Sequence, residues 1–138
     1  MTSTEIVPPE GTTARVLRDG WFFAPARRIG DVVKLSGQTG HNPDLTIADN
    51  ATEQIETAFK NATEVLTAAG LAWDNVDVVR SYHVVEAGAL AISEESHGVV
   101  HQHLGKLITN HYPVWTAVAV PTLSLPGMLI EIEVEASY

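Results

Sequence analysis

The sequence contains no cysteine. A disulfide framework, a cysteine nucleophile and a cysteine-ligated zinc site are therefore excluded, and a reducing compartment is compatible with the composition. Basic residues are also scarce, since 8 lysines and arginines stand against 17 aspartates and glutamates and give a formal net charge of -9. A surface of this charge repels a phosphate backbone, so we expect no nucleic acid among the main partners.

Long hydrophobic runs are missing as well. No stretch is apolar over enough residues to cross a bilayer, and the first residues do not form a basic, apolar leader, so we expect a cytoplasmic protein with no membrane partner. What is present is an ordinary globular composition over 138 residues, with 45% hydrophobic and 18% charged residues. This predicts a single domain over residues 1–138, in which roughly residues 1–11 form a flexible N-terminal segment around Pro8-Pro9.

The run from residue 128 to residue 135 has the period of two that is typical of a β-strand. Isoleucine and valine alternate along it with three glutamates, which are Glu131, Glu133 and Glu135. The pattern predicts one buried face and one face that is either a solvated acidic edge or part of a functional site.

The run from residue 112 to residue 120 also alternates. Trp115 shares its face with Ala117 and Ala119, so a large ring stands beside small side chains. Two interpretations are open at this point, because Trp115 could form the wall of a pocket or could be an ordinary buried core tryptophan.

The remaining periodicity predicts two helices and several strands. The stronger helix begins after Asn50, which can cap the amide of Glu53, and it ends at Gly70. The second helix is predicted over roughly residues 91–109, with Gly98 as a weak point in its middle. Strands are predicted at residues 32–38, 76–85, 112–120 and 128–135.

This order of elements predicts an α+β fold in which two helices pack on one face of a mixed sheet. A chain of this size has nothing left to cover the opposite face of the sheet, which we expect to be apolar. Burial of that face between subunits is the natural consequence, so the sequence predicts a homo-oligomer.

The aromatic triplet Trp21-Phe22-Phe23 follows a predicted tight turn at Asp19-Gly20. The triplet is too short for a helix of its own and too apolar for a free loop. We therefore expect these rings to close over another part of the structure.

Five short motifs together resemble the RidA (YjgF) family. Each motif alone is a weak signal, but they occur in the order and at the spacing of the family, and the similarity extends from about residue 15 to residue 136. The motifs are Leu35-Ser36-Gly37-Gln38, Ala58-Phe59-Lys60-Asn61, Ala68-Ala69-Gly70-Leu71, Tyr112-Pro113 and Glu131-Ile132-Glu133.

The resemblance implies a chorismate-mutase-like α+β fold and a homotrimer whose sheets form a central barrel, with ligand clefts between subunits. It also implies deamination of enamines and imines, in which a reactive C=N intermediate released by other enzymes is hydrolysed without a metal or an organic cofactor. An endoribonuclease activity, which is sometimes attached to this family, fits poorly with the net charge of -9.

Carried over residue by residue, the resemblance implies a catalytic group of three residues. Ser36 and the backbone amide of Gly37 match the family's serine-glycine pair, and Glu131 matches the glutamate that orients the attacking water. A family asparagine on the second helix falls near His97, which we add to the catalytic candidates.

The substrate-binding residues depart from the family's pattern. Trp115 replaces the arginine that holds a substrate carboxylate, and Phe23 replaces a loop tyrosine. An indole offers one N–H and an apolar face, so it cannot reproduce the paired, charge-assisted hydrogen bonds of a guanidinium. We therefore expect a substrate that lacks the 2-imino-acid carboxylate and carries a ring or alkyl group. The residues expected to contact that group are Trp115, Phe23, Trp21 and Ala117.

Glu131 is the candidate for proton transfer. On a sheet face against aromatic rings its carboxyl would be desolvated, which raises the pKa toward the range that suits general acid or base catalysis. Glu131 would take a proton from water that attacks an imine-like carbon, or move a proton between carbon and nitrogen in a tautomerisation. Ser36 and Gly37 would hold the polar end of the substrate.

Histidines add one further alternative. His97 and His101 are four residues apart on the second predicted helix and could share a zinc ion, but no third ligand is evident and we predict no metal. His97 is expected instead to line the cleft as a donor or proton shuttle. Three hypotheses remain open: a cofactor-free enzyme acting on an imine, enamine or related unsaturated molecule, a non-catalytic ligand-binding or protein-protecting trimer, and, as a distant third, a metal-dependent hydrolase.

Overall fold

A seven-stranded mixed sheet with three helices forms the frame of the protein, as seen in a computed structural model that describes residues 2–138. The strands are β1 Ser3–Ile6, β2 Ala26–Ile29, β3 Val32–Leu35, β4 Gln38–Thr39, β5 Val76–Val84, β6 Val114–Val120 and β7 Ile130–Ser137. The helices are α1 Thr13–Trp21, α2 Ala51–Ala68 and α3 Glu94–Leu107, and a short 3-10 turn covers Trp73–Asn75. The α+β fold class predicted from the sequence is confirmed.

The sheet has the order β1-β2-β3-β7-β5-β6, and the short strand β4 also pairs with β7. All neighbours are antiparallel except β5 and β6, which run parallel. Strand β7 therefore lies at the centre, although it follows every other described strand in sequence. Strand β6 lies at one edge of the sheet and has no charged residue.

Helix α2 forms where the sequence predicts it. The side chain of Asn50 accepts a hydrogen bond from the amide of Glu53 at 2.9 Å, and Gly70 follows the helix with a φ of +75°, a conformation that favours glycine. Its buried face carries Ile55 and Phe59 and packs on β7 and α3. Helix α3, predicted over roughly residues 91–109, begins after the cap Ser93 and ends at Leu107.

Helix α1 was not predicted, and Asp19-Gly20 is its last turn rather than a hairpin turn. The helix is short, and its buried side is limited to Thr13, Ala14 and Leu17, so the apolar period is too brief to stand out. Its N-terminus is capped by Thr12, and its end is set by Phe22 in the left-handed conformation with a φ of +57°. The number of helices is therefore three, not two.

Residues 2–11 differ from the expectation of a flexible segment over residues 1–11, of which Met1 lies outside the described residues. Strand β1 pairs along its whole length with β2. Its position is fixed further by Arg18, whose guanidinium donates two hydrogen bonds to Glu5, at 2.8 and 2.9 Å. This bidentate ion pair between α1 and β1 is a tertiary contact that holds the segment in place. It joins residues far apart in sequence, so no local pattern predicts it.

The two faces of the central strands differ in the way that their alternation predicts. Ile130, Ile132 and Val134 of β7 are fully buried in the core under the helices. The opposite face, on which no helix of residues 2–138 packs, is the uncovered face of the sheet and carries the alternating glutamates of the same strand.

The uncovered face is not uniformly apolar, and that part of the prediction is wrong. Its centre is charged, because Arg80 lies 2.9 Å from Glu135 and 3.8 Å from Glu133. The hydroxyl of Tyr82 donates a hydrogen bond to Glu133 at 3.1 Å. Exposed valines lie on this face toward the β6 edge, at Val114 and Val118, and at Val32 of β3. Within residues 2–138, no helix combines the length and apolarity needed to span a membrane.

Candidate functional site

Glu131 lies on the uncovered face of β7, with Thr39 of β4 on one side and Tyr82 of β5 on the other. Its side chain covers the backbone of Gly37 so closely that a β-carbon at position 37 would lie 2.5 Å from Glu131 Oε1. Burial raises the pKa of the Glu131 carboxyl above its ordinary value, and the negative charge of Glu133 adds to the effect. The structure thus brings together Glu131 and Gly37.

Ser36 precedes Gly37 and is held by the segment that carries Phe23. The Ser36 hydroxyl donates to the carbonyl of Ala24 at 2.6 Å, and the Ser36 amide donates to the carbonyl of Pro25 at 2.9 Å. Ser36 and Gly37 therefore lie between β3 and β4, and Gly37 lies against Glu131 of β7. The proton of the Ser36 hydroxyl is already used within the protein, which leaves its oxygen as an acceptor.

A clamp from helix α2 holds β4 in register beside Glu131. The side-chain amide of Asn61 donates to the carbonyls of Thr39 and His41, at 2.8 and 2.9 Å. Thr13 of α1 donates to the same His41 carbonyl at 2.9 Å. Two helices thus fix the backbone of β4 beside the glutamate. The same hydrogen bonds satisfy the buried carbonyls of Thr39 and His41 and the side-chain amide of Asn61.

Trp115 lies on the other face of the sheet. It is paired with Val79 of β5, which is paired in turn with the core residue Val134 of β7. The indole N–H donates to Ser81 Oγ at 2.9 Å, and the His97 ring stacks on the indole with 5.0 Å between centroids and 21° between planes. Trp115 is thus partly buried against the core, as the second interpretation of the sequence allowed.

Glu131 and Trp115 are therefore not brought together within one chain. Residues paired across a sheet point to the same side, and Glu131 is paired with Tyr82 on the uncovered face. Trp115 and Ala117 point to the helix side, since Ala117 is paired with the buried Ser81. Two sets of predicted site residues therefore lie on opposite faces of the sheet. The glutamate group is Glu131 with the adjacent Gly37, and the tryptophan group is Trp115 with Ala117.

A cleft of about 670 Å³ lies beside Trp115, between α3 and the turn that leads into β6. Its walls include Leu104, Ile108 and Pro113. His97 is not among the described residues that line this cleft, because its ring is stacked on the indole. The prediction that Trp115 borders a pocket agrees with this geometry. His97 contacts the indole ring of Trp115 but does not itself line the cleft.

Trp21 and Phe23 lie elsewhere, at the end of α1. Phe23 lines a second cleft of about 470 Å³ together with Phe22 and Arg27. Phe22 is fully exposed and Trp21 is 48% exposed, so the triplet does not close over another part of its own chain. That expectation is wrong for the single chain, because the left-handed residue at the helix end turns the rings outward.

Three polar residues near Trp115 were not among the sequence-based candidates. His83 is fully buried, with Nε2 at 2.8 Å from Ser81 Oγ and Nδ1 at 2.6 Å from Ser96 Oγ. Burial lowers the pKa of His83 to about 4, and the nearby His97 acts in the same direction. Ser81 and His83 follow Val79 as successive residues on the buried face of β5, and this interruption of an apolar face was the available signal.

Within residues 2–138, no group of three or more histidine, cysteine, aspartate or glutamate side chains is arranged to hold a metal ion. His97 is engaged with Trp115, and His101 lines the cleft. Glu131 and Gly37 are the predicted site residues that the structure places in direct proximity, and the pKa of the Glu131 carboxyl is raised by burial.

The sheet order and the helices on one face define the class of small α+β proteins with a chorismate-mutase-like fold. The family model described as Endoribonuclease L-PSP matches residues 20–138. RutC family protein YjgH of Escherichia coli (strain K12) is 32% identical over 114 residues, which make up 83% of this chain and 81% of that protein. The chain belongs to this family, which is the RidA (YjgF) family indicated by the five motifs.

Solved structures agree with this assignment. A structure of protein YjgH has a TM-score of 0.79 at 29% identity and covers 99% of this chain, with 97% of that chain covered in return. The YjgF gene product of E. coli has a TM-score of 0.78 at 18% identity, with 97% of this chain and 98% of that chain covered, and it supports the fold alone. Family membership supports a function related to small molecules.

The buried His83 predicts a stability that depends on acidity. The unfolded chain takes up a proton at this histidine near pH 6.5, whereas the folded chain resists it until about pH 4. The free energy of unfolding should therefore fall by up to about 3 kcal/mol as the pH drops through that window. Urea unfolding at several pH values measures the slope, which should be smaller in His83→Gln.

The exposed His101 provides the matched control, since His101→Gln should keep the full slope. His41, whose pKa is also lowered by burial, contributes a slope of the same sign in every variant. Equal slopes in the wild type and in His83→Gln would contradict the assignment.

Proposed function

We propose that the protein is a cofactor-free small-molecule enzyme of the RidA type, acting on an imine, an enamine or a related unsaturated substrate. The observation that carries the proposal is the desolvated carboxyl of Glu131 over the backbone of Gly37. A carboxyl group whose pKa is raised can both give and take a proton near neutral pH. The reaction is a hydrolytic deamination or a tautomerisation.

In the hydrolytic reaction, Glu131 takes a proton from a water molecule as that water attacks the C=N carbon. The same carboxyl passes that proton to the nitrogen, which gives a carbinolamine. It then takes the hydroxyl proton and passes it to the nitrogen, so that the C–N bond breaks, the carbonyl forms and ammonia leaves. The Gly37 amide and the Ser36 oxygen hold the polar end of the substrate. In the tautomerisation, Glu131 moves one proton between carbon and nitrogen, and no water is consumed.

The complete site requires a second subunit, in a homotrimer with clefts between its subunits. The glutamate and tryptophan groups lie on opposite faces of one sheet, so a neighbour must supply the missing half. The uncharged edge strand β6 supports this arrangement, with Val114 65% exposed and Val118 37% exposed. An uncovered edge strand of this kind is normally protected by a partner.

The substrate proposed for this site lacks a carboxylate. The position of the family's arginine holds Trp115, whose N–H is donated to Ser81. Arg80 is committed to Glu135. The family description names an endoribonuclease, but a net charge of -9 opposes binding of a phosphate backbone. A small, uncharged substrate fits these residues better.

The alternative is a non-catalytic trimer that binds a ligand or protects other proteins. Two observations favour it, since the Ser36 hydroxyl donates to Ala24 and the Trp115 N–H donates to Ser81. Polar groups that are already satisfied inside the protein contribute less to transition-state binding. The two functions differ in what the removal of the Glu131 carboxyl should do.

Glu131→Gln separates the two functions. The amide keeps the shape of the side chain but cannot exchange a proton, so turnover should fall about a hundredfold or more while binding persists. The assay is ammonia release from enamines that lack a carboxylate, with kcat and KM determined separately. Glu135→Gln is the matched control, because Glu135 lies on the same face of β7 but is bonded to Arg80, and its kcat should stay near the wild-type value.

Full activity in Glu131→Gln would exclude the proton-transfer role. A protein that binds these compounds without turnover, and whose affinity changes only modestly in Glu131→Gln, would establish the binding function instead.

Hydrolysis of 2-iminobutyrate should be slow or absent, because Trp115 stands at the position of the family's arginine and its N–H is donated to Ser81. A coupled assay that generates the imine in place measures this rate against a family member that retains the arginine. Comparable rates would show that another residue binds the carboxylate. Arg27 would then be tested first, since its guanidinium lines the second cleft and is bonded to Ser3 rather than to an acid.

The trimer should be stable at micromolar concentration, and light scattering measures its mass. Val118→Lys places a charge on the β6 side of the uncovered face and should dissociate the trimer. Leu90→Lys is the control, because Leu90 is fully exposed on a loop and should leave the mass unchanged. A wild-type monomer would remove the clefts between subunits and the composite site with them.

A further inference from the structure

Three hydrogen bonds connect helix α3 through strand β5 to the indole of Trp115. Trp115 Nε1 lies 2.9 Å from Ser81 Oγ, Ser81 Oγ lies 2.8 Å from His83 Nε2, and His83 Nδ1 lies 2.6 Å from Ser96 Oγ. Ser81 and His83 are fully buried, and Ser96 is 5% exposed. The proton-transfer mechanism at Glu131 uses none of these groups.

The direction of the hydrogen bonds follows from the inventory of donors. The indole N–H can only donate, so Ser81 must accept from it. If His83 Nε2 also donated to Ser81, the Ser81 hydroxyl hydrogen would be fully buried with no bonded acceptor, at the cost of an unsatisfied donor. Ser81 therefore donates to Nε2, and the His83 proton resides on Nδ1 and is donated to Ser96.

Because the indole N–H of Trp115 donates to Ser81, the polar atom of the ring points away from the cleft. Ser81 holds the N–H on the core side, and His97 stacks on the ring from α3. The indole therefore offers the cleft only carbon and C–H surface. A ligand gains dispersion and stacking contacts with that wall but no hydrogen bond.

The rest of the cleft combines apolar walls with neutral polar groups and two histidines, His101 and His111. Among its described lining residues there is no lysine, arginine, aspartate or glutamate. Leu104, Ile108 and Pro113 provide apolar walls, and Gly105 leaves room beside them. A carboxylate placed against the Trp115 side of the cleft would lose hydration without gaining a lysine or an arginine, which is costly.

We propose that Ser81 and His83 are positioning residues that hold the Trp115 indole as an apolar wall, so that this cleft takes the uncharged aromatic or alkyl part of a ligand. This inference rests on the proposed function in one respect, which is the assignment of Trp115 to substrate binding. It extends that function by defining which chemical group the tryptophan recognises and which residues fix its orientation.

The tautomer of His83 is tested in the wild-type protein by nitrogen NMR. The Nδ1–H form is expected, with Nε2 unprotonated at neutral pH. An Nε2–H form would overturn the inference, because the direction of the hydrogen bonds would then be reversed. This measurement requires no substitution and so does not depend on the folding of any variant.

The positioning role is tested with Ser81→Ala and two probes, benzamide and benzoate, which share a ring and differ in charge. The Trp115 indole N–H signal is assigned by its absence in Trp115→Phe. In the wild type, benzamide should shift this signal and benzoate should not. In Ser81→Ala, hydrogen exchange of the signal should be about tenfold faster and the benzamide affinity about tenfold weaker.

Thr63→Val is the matched control, because Thr63 Oγ1 accepts the indole N–H of the other buried tryptophan, Trp73, at 2.8 Å. It should leave the Trp115 signal and the benzamide response unchanged. Unchanged exchange at Trp115 in Ser81→Ala would overturn the inference. So would faster exchange with an equal or absent benzamide response, and neither result would affect the separate test of the proposed function at Glu131.

Discussion

The pairing of β7 with β5 is the constraint on which the rest of the structure depends. It aligns Tyr82 with Glu131 on one face and Ser81 with Ile132 on the other. A shift of one residue would move three glutamates of β7 into the core, with a desolvation penalty of several kcal/mol for each unpaired charge. The same register therefore fixes the core, the glutamate group and, through β5 and β6, the position of Trp115.

Local sequence patterns were sufficient to predict the strands and helices whose hydrophobic residues recur at a regular period. The alternation around Glu131 and the capped, periodic helix after Asn50 both carry their signal in adjacent residues, and both are confirmed. Helix α1 was missed because its stability comes from contacts with distant residues, such as the ion pair of Arg18 with Glu5. The charged centre of the uncovered face was missed for the same reason, since Arg80 meets its glutamate only across paired strands.

The candidate site was predictable one residue at a time but not as an arrangement. The motifs singled out Gly37 and Glu131, which the fold brings into contact, and the alternation placed Trp115 beside small side chains. Sequence alone could not show that the tryptophan and the glutamate face opposite sides, because that depends on which strands are neighbours. The role of His83 depends on its contact with Ser96 of helix α3. The period of the sequence shows that His83 is on the buried face, but it does not show which helix residue His83 meets.

The central place of β7 also determines when the chain can fold during synthesis. This strand joins the β1-β2-β3 part of the sheet to the β5-β6 part, yet the ribosome delivers it after every other described strand. Until then, β3 and β5 each present an unpaired edge, and the core face of the sheet is open to water. The nascent chain therefore holds these apolar segments unassembled until β7 has been synthesised, and the contacts that join the two parts of the sheet can form only then.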